Sequence, residues 1–277
     1  MKFRPWVAAV AELIETSQRE GILEVRFNRP EALNALNVAM AEQFEQLCER
    51  LVAQSSIRVL MLSGNGRAFM AGGDLKAFRE TPLEERPQLS RRILAPLHRA
   101  LQVLSQSDVI TIAAVHGSVA GAGMSFALFT DLAVAAEDAN FNFAYAKVAA
   151  SPDCGGSFSL TRLVGMRRAI EIALLSGTLD AKKALEWGLI NQVVPADQLR
   201  PVSLELAHRL STGPRRSLAA VKRLLYRATE RSLQKQLEAE LESFSALSGE
   251  ADFAEALDAF FSKRAAQYGH NQTGVSD

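Results

Sequence analysis

Hydrophobic and polar positions alternate in two regimes along the chain. Over residues 21–27, Ile22, Leu23, Val25 and Phe27 recur in strand fashion and stop at Asn28-Arg29-Pro30, a turn signal. From Leu36 the apolar residues Leu36, Met40, Phe44, Leu47 and Leu51 step by three or four, one face of an amphipathic helix. Residues 57–63 and 109–115 are short apolar runs between polar residues and glycine, the pattern of strands buried on both faces. Helices are expected over 82–107, 157–176 and 181–188, with a further strand near 131–136. Strands and helices alternate through the first two-thirds, which predicts an α/β fold. From about Ala196 helix dominates, broken at Gly213-Pro214. The expected division is a core domain over 1–205 and a helical region over 206–277.

Composition narrows the function classes. A chain of 277 residues with 48% apolar and 22% charged residues can bury a core without covalent staples. The 31 Lys and Arg balance 31 Asp and Glu, which argues against a general nucleic-acid binder. Cys48 and Cys154 stand far apart in no metal-ligand spacing, so neither a disulfide scaffold nor a metal site is expected. Lys2 and Arg4 precede an apolar stretch, but Pro5, Glu12 and Glu15 interrupt a signal-peptide pattern. No uncharged run is long enough to span a membrane, and the expected location is the cytoplasm.

Two glycine-rich segments carry candidate chemistry. Ala71-Gly72-Gly73-Asp74 and Gly121-Ala122-Gly123 each follow a short apolar run. Glycine lets a ligand approach the backbone, and amides at a helix start lack internal partners. Two such turns together would make an oxyanion hole, a pair of donors aimed where charge develops on a carbonyl oxygen. A lone cluster of this kind more often only makes a tight turn. A dinucleotide fingerprint is not completed, since Phe126 occupies the third glycine position.

Five segments in colinear order resemble the crotonase, or enoyl-CoA hydratase/isomerase, superfamily. They are residues 28–36 (NRPEALNAL), 68–78 (AFMAGGDLKAF), 113–141, 152–165 (PDCGGSFSLTRLVG) and 184–194 (ALEWGLINQVV). The resemblance implies a spiral core of ββα turns with a helical C-terminal trimerisation region, assembled as a homotrimer or hexamer. It implies an acyl-CoA thioester substrate and no cofactor beyond the coenzyme A carried by that substrate. The amides of Gly73 and Ala122 would form the oxyanion hole beside Gly121. Leu33, Ala71, Asp74 and Leu75 would line the coenzyme A channel, with Phe260 and Lys263, of the same or a neighbouring subunit, closing over it. Arg29 is a candidate for the phosphates and equally a turn residue.

The catalytic positions separate the reactions. The two glutamates of the hydratases fall on Ser125 and Tyr145, neither of them a carboxylate. A carboxylate appears instead at Asp153, which resembles 1,2-epoxyphenylacetyl-CoA isomerases and related enoyl-CoA isomerases, where it would shuttle a proton. The leading expectation is therefore an isomerase, with Tyr145 among the substrate-lining residues along with Phe78, Leu94 and Leu97. Alternatives are a hydratase, a non-catalytic acyl-CoA binding protein, and an aryl-CoA dehalogenase in which Asp153 attacks as a nucleophile and His98 activates water. His98 equally reads as a packed helix residue, His116 as a turn partner and Cys154 as a small filler. His208 and His270 have no metal-ligand neighbours. Balanced charge hides segregation: seven basic residues and one acid lie between Arg209 and Arg231, and seven acids and no base between Glu238 and Asp258. That pattern fits subunit pairing and a basic face for coenzyme A phosphates.

Overall fold

A computed structural model describes residues 13–268; the opening stretch 1–12 and His270 lie outside the described residues. β1 (Ile14–Arg19) and β2 (Ile22–Phe27) form an antiparallel hairpin, and α1 (Val38–Ala53) follows. Three strand pairs come next: β3 (Val59–Gly64) with β4 (Ala68–Met70), β5 (Ile110–Val115) with β6 (Ser118–Ala120), and β7 (Leu132–Ala136) with β8 (Asn140–Asn142). After the first pair come α2 (Leu75–Glu80) and α3 (Arg86–Gln106), and α4 (Ala122–Phe129) lies between the second and third. The third pair leads to α5 (Gly156–Leu175), β9 (Leu179–Asp180), α6 (Ala181–Glu186) and β10 (Gln192–Val194). One strand of each pair joins a six-stranded sheet ordered β1-β2-β3-β5-β7-β10, and the other joins a four-stranded sheet ordered β4-β6-β8-β9. Each turn of chain thus adds a strand to both sheets and then a helix, which is the expected ββα spiral.

The continuous apolar runs are explained by burial on two sides. In β3, Leu60 and Leu62 face the main core, whereas Val59 and Met61 pack with Ile22, Ile112 and Ala207 on the opposite face. Alternate side chains of a strand point to opposite faces, so a doubly covered strand has no polar side to show. α1 starts where the Asn37 side chain accepts the Met40 amide, and it buries Met40, Phe44, Leu47 and Leu51 as the spacing predicts. Phe27, Phe44, Phe69 and Phe126 meet edge-on or tilted, with centroids 5.3–6.0 Å apart. α4 is buried from Ala122 to Leu128, because a helix apolar all round can only sit inside.

The structure departs from the sequence reading in three places. β1 carries the sequence IETSQR with one buried residue, Ile14, so no apolar alternation announces this edge strand. The division placed after residue 205 falls inside α7 (Leu199–Ser211), which lays Leu199, Ser203 and Ala207 against the first sheet. The chain leaves that sheet only with α8 (Arg215–Ala228), α9 (Leu233–Ser248) and α10 (Ala251–Phe261).

The basic stretch, third, is largely a set of tethers rather than a face for phosphates. Lys222 is buried and donates to the Val109 carbonyl at 2.7 Å and to Asp131 at 2.9 Å. Arg223 pairs with Asp108, Arg215 with the Ser55 carbonyl, and Arg216 with Glu250. Lys222, Arg215 and Arg223 reach back to the core and pin α8 to it, and Arg216 ties α8 to the start of α10. No described helix is long and apolar enough to cross a membrane.

Candidate active site

The two glycine-rich turns meet. A β-carbon on Gly72 would stand 3.3 Å from the Ala120 carbonyl and 3.7 Å from the Ala122 amide nitrogen, and one on Gly121 would stand 3.5 Å from the Gly72 Cα. Gly72 has φ +102° and Gly121 φ +51°, conformations that L side chains rarely adopt. Leu36 forms a parallel bridge to Gly73 through the Gly72 carbonyl (2.8 Å) and the Asp74 amide (2.9 Å). The amide of Gly73 itself therefore faces away from Leu36. That of Ala122 opens α4 and has no partner within its helix. Space above Gly73 is open, with nothing within 4 Å of a β-carbon built there.

The loop before the first turn is braced from within. Asn34 is fully buried, and its amide donates to the carbonyls of Asn65, Ala68 and Phe69 while its oxygen accepts the Arg29 amide. The Arg29 guanidinium donates to the Ala35 carbonyl at 2.6 Å and to Asp74 at 3.0 Å. Arg29 is thus the turn residue, engaged with protein groups. Burial alone would raise the Asp74 pKa, but bonds from the Ala77 amide and Arg29 hold it below its ordinary value. The Leu33 carbonyl accepts the Ala71 amide, which holds Leu33 against the turn, and Leu75 at the start of α2 is exposed. Sequence reasoning did not anticipate the Arg29–Asp74 pair, whose members are 45 residues apart.

Ser125, Tyr145 and Asp153 converge behind the second turn. The Tyr145 hydroxyl donates to Asp153 Oδ1 at 2.5 Å and lies 2.8 Å from Ser125 Oγ. Ser125 sits one turn into the helix that begins with the Ala122 amide, so two hydrogen bonds tie Asp153 to the element carrying a donor. Burial pushes the Asp153 pKa up; hydrogen bonds from Tyr145 and Cys154 and the neighbouring His98 oppose that rise. The Tyr145 phenol is pushed up by burial and then by the Asp153 carboxylate. Cys154, fully buried at φ +49°, is the expected filler, with its thiol also pushed up by burial and then by Asp153. From α3, His98 Nε2 accepts the Cys154 amide at 3.4 Å, which brings this residue to the site. His116 meets the Gly66 carbonyl at 2.9 Å, in keeping with a turn partner.

Other candidates stay apart. Phe260 and Lys263 lie at the end of α10, which rests on α9; Phe260 is exposed, and among the described residues no hydrogen bond joins Lys263 to the turns. Leu97 is fully buried in the core and Tyr145 nearly so, while Phe78 and Leu94 remain half-buried. No group of three His, Cys, Asp or Glu among the described residues could hold a metal ion. The joined turns and Asp153 bring together two amides not used in the Leu36 bridge or within α4 and one carboxylate whose pKa burial raises. Such a combination suits removal of a proton next to a carbonyl group.

The family model described as enoyl-CoA hydratase/isomerase matches residues 17–271. The chain is 36% identical over 260 residues to a 1,2-epoxyphenylacetyl-CoA isomerase of Escherichia coli (strain K12), covering 93% of this chain and 98% of the relative. It is 31% identical over 250 residues to 4-chlorobenzoyl coenzyme A dehalogenase-2 of an Arthrobacter species, covering 90% and 91%. Among solved structures, an enoyl-CoA hydratase from Polaromonas sp. JS666 superposes with a TM-score of 0.87 at 30% identity, covering 92% of this chain and 99% of that one.

Proposed function

Because the chain belongs to the enoyl-CoA hydratase/isomerase family, we propose that it is an acyl-CoA isomerase working through a thioester enolate. The observation that carries this reading is the single carboxylate of the Ser125–Tyr145–Asp153 network, held next to the helix that opens on the Ala122 amide. In the reaction, Asp153 takes a proton from a carbon conjugated to, or next to, the thioester. The electron pair of the broken C–H bond passes to the thioester oxygen, where the Gly73 and Ala122 amides donate hydrogen bonds. Asp153 then returns the proton to another carbon and the enolate collapses. Each such donor is commonly worth about 3 kcal/mol of transition-state stabilisation. Burial raises the proton affinity of Asp153, which makes its carboxylate a stronger base than one in water.

Coenzyme A would lie along Leu33, Ala71, Asp74 and Leu75. The Ala71 and Asp74 amides are already bonded within the protein, which leaves carbonyls to meet the adenine amino group. Phe260 and Lys263 would come from a neighbouring copy. Exposed Leu237, Leu241, Phe244, Phe260 and Phe261 on α9 and α10 support a homotrimer or hexamer that covers them. No cofactor is needed beyond the substrate's own coenzyme A.

The test is incubation with trans-3-enoyl-CoA in water enriched in oxygen-18. Double-bond migration without label in the product is expected; labelled 3-hydroxyacyl-CoA would instead indicate hydration. A second reading, aryl-CoA dehalogenation with Asp153 as nucleophile, is favoured by the nearness of His98 to Asp153. Halide release from 4-chlorobenzoyl-CoA would support it.

A further inference from the structure

We propose that Tyr145 is a positioning residue that acts through Asp153, engaging Oδ1 so that the proton moves through Oδ2, with Ser125 setting its strength as a donor. This rests on the reading of Asp153 as the proton-transferring group. An ionised carboxylate only accepts hydrogen bonds, so the phenolic proton must point at Oδ1 across the 2.5 Å contact. The phenolic oxygen then accepts from Ser125, which makes Ser125 the donor at 2.8 Å. Both residues are buried, Ser125 completely. Neither can exchange its partner for bulk water.

The geometry leaves this chain of bonds little freedom. A β-carbon on Gly156 would stand 2.2 Å from Ser125 Oγ, so the start of α5 closes against that hydroxyl. The Tyr145 ring meets Phe143 edge-on, with centroids 5.0 Å apart and planes at 70°. Its backbone carbonyl accepts the amides of Val148 and Ala150. A ring held on these sides presents its hydroxyl in one place and thereby orients the carboxylate. The titratable groups facing Asp153 are Tyr145, the Cys154 thiol beside it in sequence, and His98 from α3. Of these the phenol makes the short contact, so its removal should perturb the carboxylate most.

Two measurements on the full chain test this, with hexanoyl-CoA in deuterated water as the probe of enolate formation. For Tyr145→Phe, kcat for α-proton exchange should fall roughly ten- to a hundredfold while KM stays within about twofold. The acid limb of its pH profile should move up by about one pH unit, because a donor to the charged form is lost. Ser125→Ala should move it the same way by less, and it decides the matter if Tyr145→Phe does not fold. Carbon-13 NMR of the aspartate carboxyl carbons, with Asp153→Asn identifying the resonance, reads the same shift without turnover. Unchanged midpoints and acid limbs in the folded variants would overturn the proposal. Parental exchange by Asp153→Asn would instead overturn the reading beneath it, while the NMR midpoint would still report on Tyr145.

Discussion

Gly72 and Gly121 stand back to back, so close that a β-carbon on Gly121 would lie 3.5 Å from the Gly72 Cα. The contact brings together two turns that the sequence separates by almost fifty residues, and a β-carbon on Gly72 would stand 3.7 Å from the Ala122 amide nitrogen. Neighbouring glycines differ in what they do. At Gly73 a β-carbon meets nothing within 4 Å, whereas at Gly123 it would fall 2.1 Å from the Met70 carbonyl oxygen. Gly73→Ala should therefore change unfolding free energy by less than about 0.5 kcal/mol. It should nevertheless slow thioester α-proton exchange roughly a hundredfold, since the methyl group enters the space the oxygen needs. Gly123→Ala should cost about 3 kcal/mol of stability or more, because the obstacle is backbone. Urea unfolding of both variants beside the exchange assay checks the contrast.

Lys222 and Asp131 form the buried pair that anchors the C-terminal helices, with Asp131 also accepting the Thr111 amide and hydroxyl. Removing one partner leaves the other charge buried without compensation. Lys222→Ala should lower stability by about 3–5 kcal/mol, and adding Asp131→Asn, which removes the stranded charge while its amide oxygen still accepts from Thr111, should recover part of it. A double variant no better than the single one in chemical denaturation would contradict this view of the pair.

Asp74 supplies a pH-dependent tether. Its folded pKa lies below the unfolded value, so its contribution to stability is complete above the unfolded pKa, about 4. That contribution is lost as pH falls through the folded pKa. Between roughly pH 5 and pH 2 the parent protein should lose more unfolding free energy than Asp74→Asn. Parallel thermal melts across that range make the comparison.

The sequence made some of this legible and concealed the rest for physical reasons. Continuous runs such as Val59–Leu62 and Ile110–Val115 disclosed doubly covered strands, and the all-apolar Ala122–Leu128 disclosed an interior helix. The second sheet was not visible, since β4, β6, β8 and β9 have only two or three residues each, too few to show a period. Asp153, Tyr145 and Ser125 each stood out as positions in a family pattern. Their hydrogen bonds span eight and twenty residues, and no local spacing rule announces such contacts. The basic stretch misled because a count of charges does not say where long side chains reach. Lys222 finds its partner 91 residues away.

The exposed apolar faces of α9 and α10 call for a cover. Phe244, Phe260 and Phe261 are each more than three-fifths exposed, and carbon surface of this size facing water favours association. Sedimentation should give a trimer or hexamer for the parent protein. Phe244→Glu together with Leu241→Glu should shift it toward the monomer and weaken acyl-CoA binding, since a neighbouring copy would no longer bring Phe260 and Lys263 to the site. A parent protein that sediments as a monomer at micromolar concentration would refute the assembly.

The central claim is that Asp153 carries the proton. Its raised pKa means that the ionised form costs the folded state stability at neutral pH, a penalty relieved as pH falls through the folded value. Asp153→Asn should therefore fold at least as stably as the parent near pH 7 and still bind acyl-CoA. The decisive measurement is deuterium incorporation at the α-carbon of hexanoyl-CoA by this variant. The account predicts a loss of at least about a hundredfold with affinity unchanged; exchange at the parental rate would contradict it.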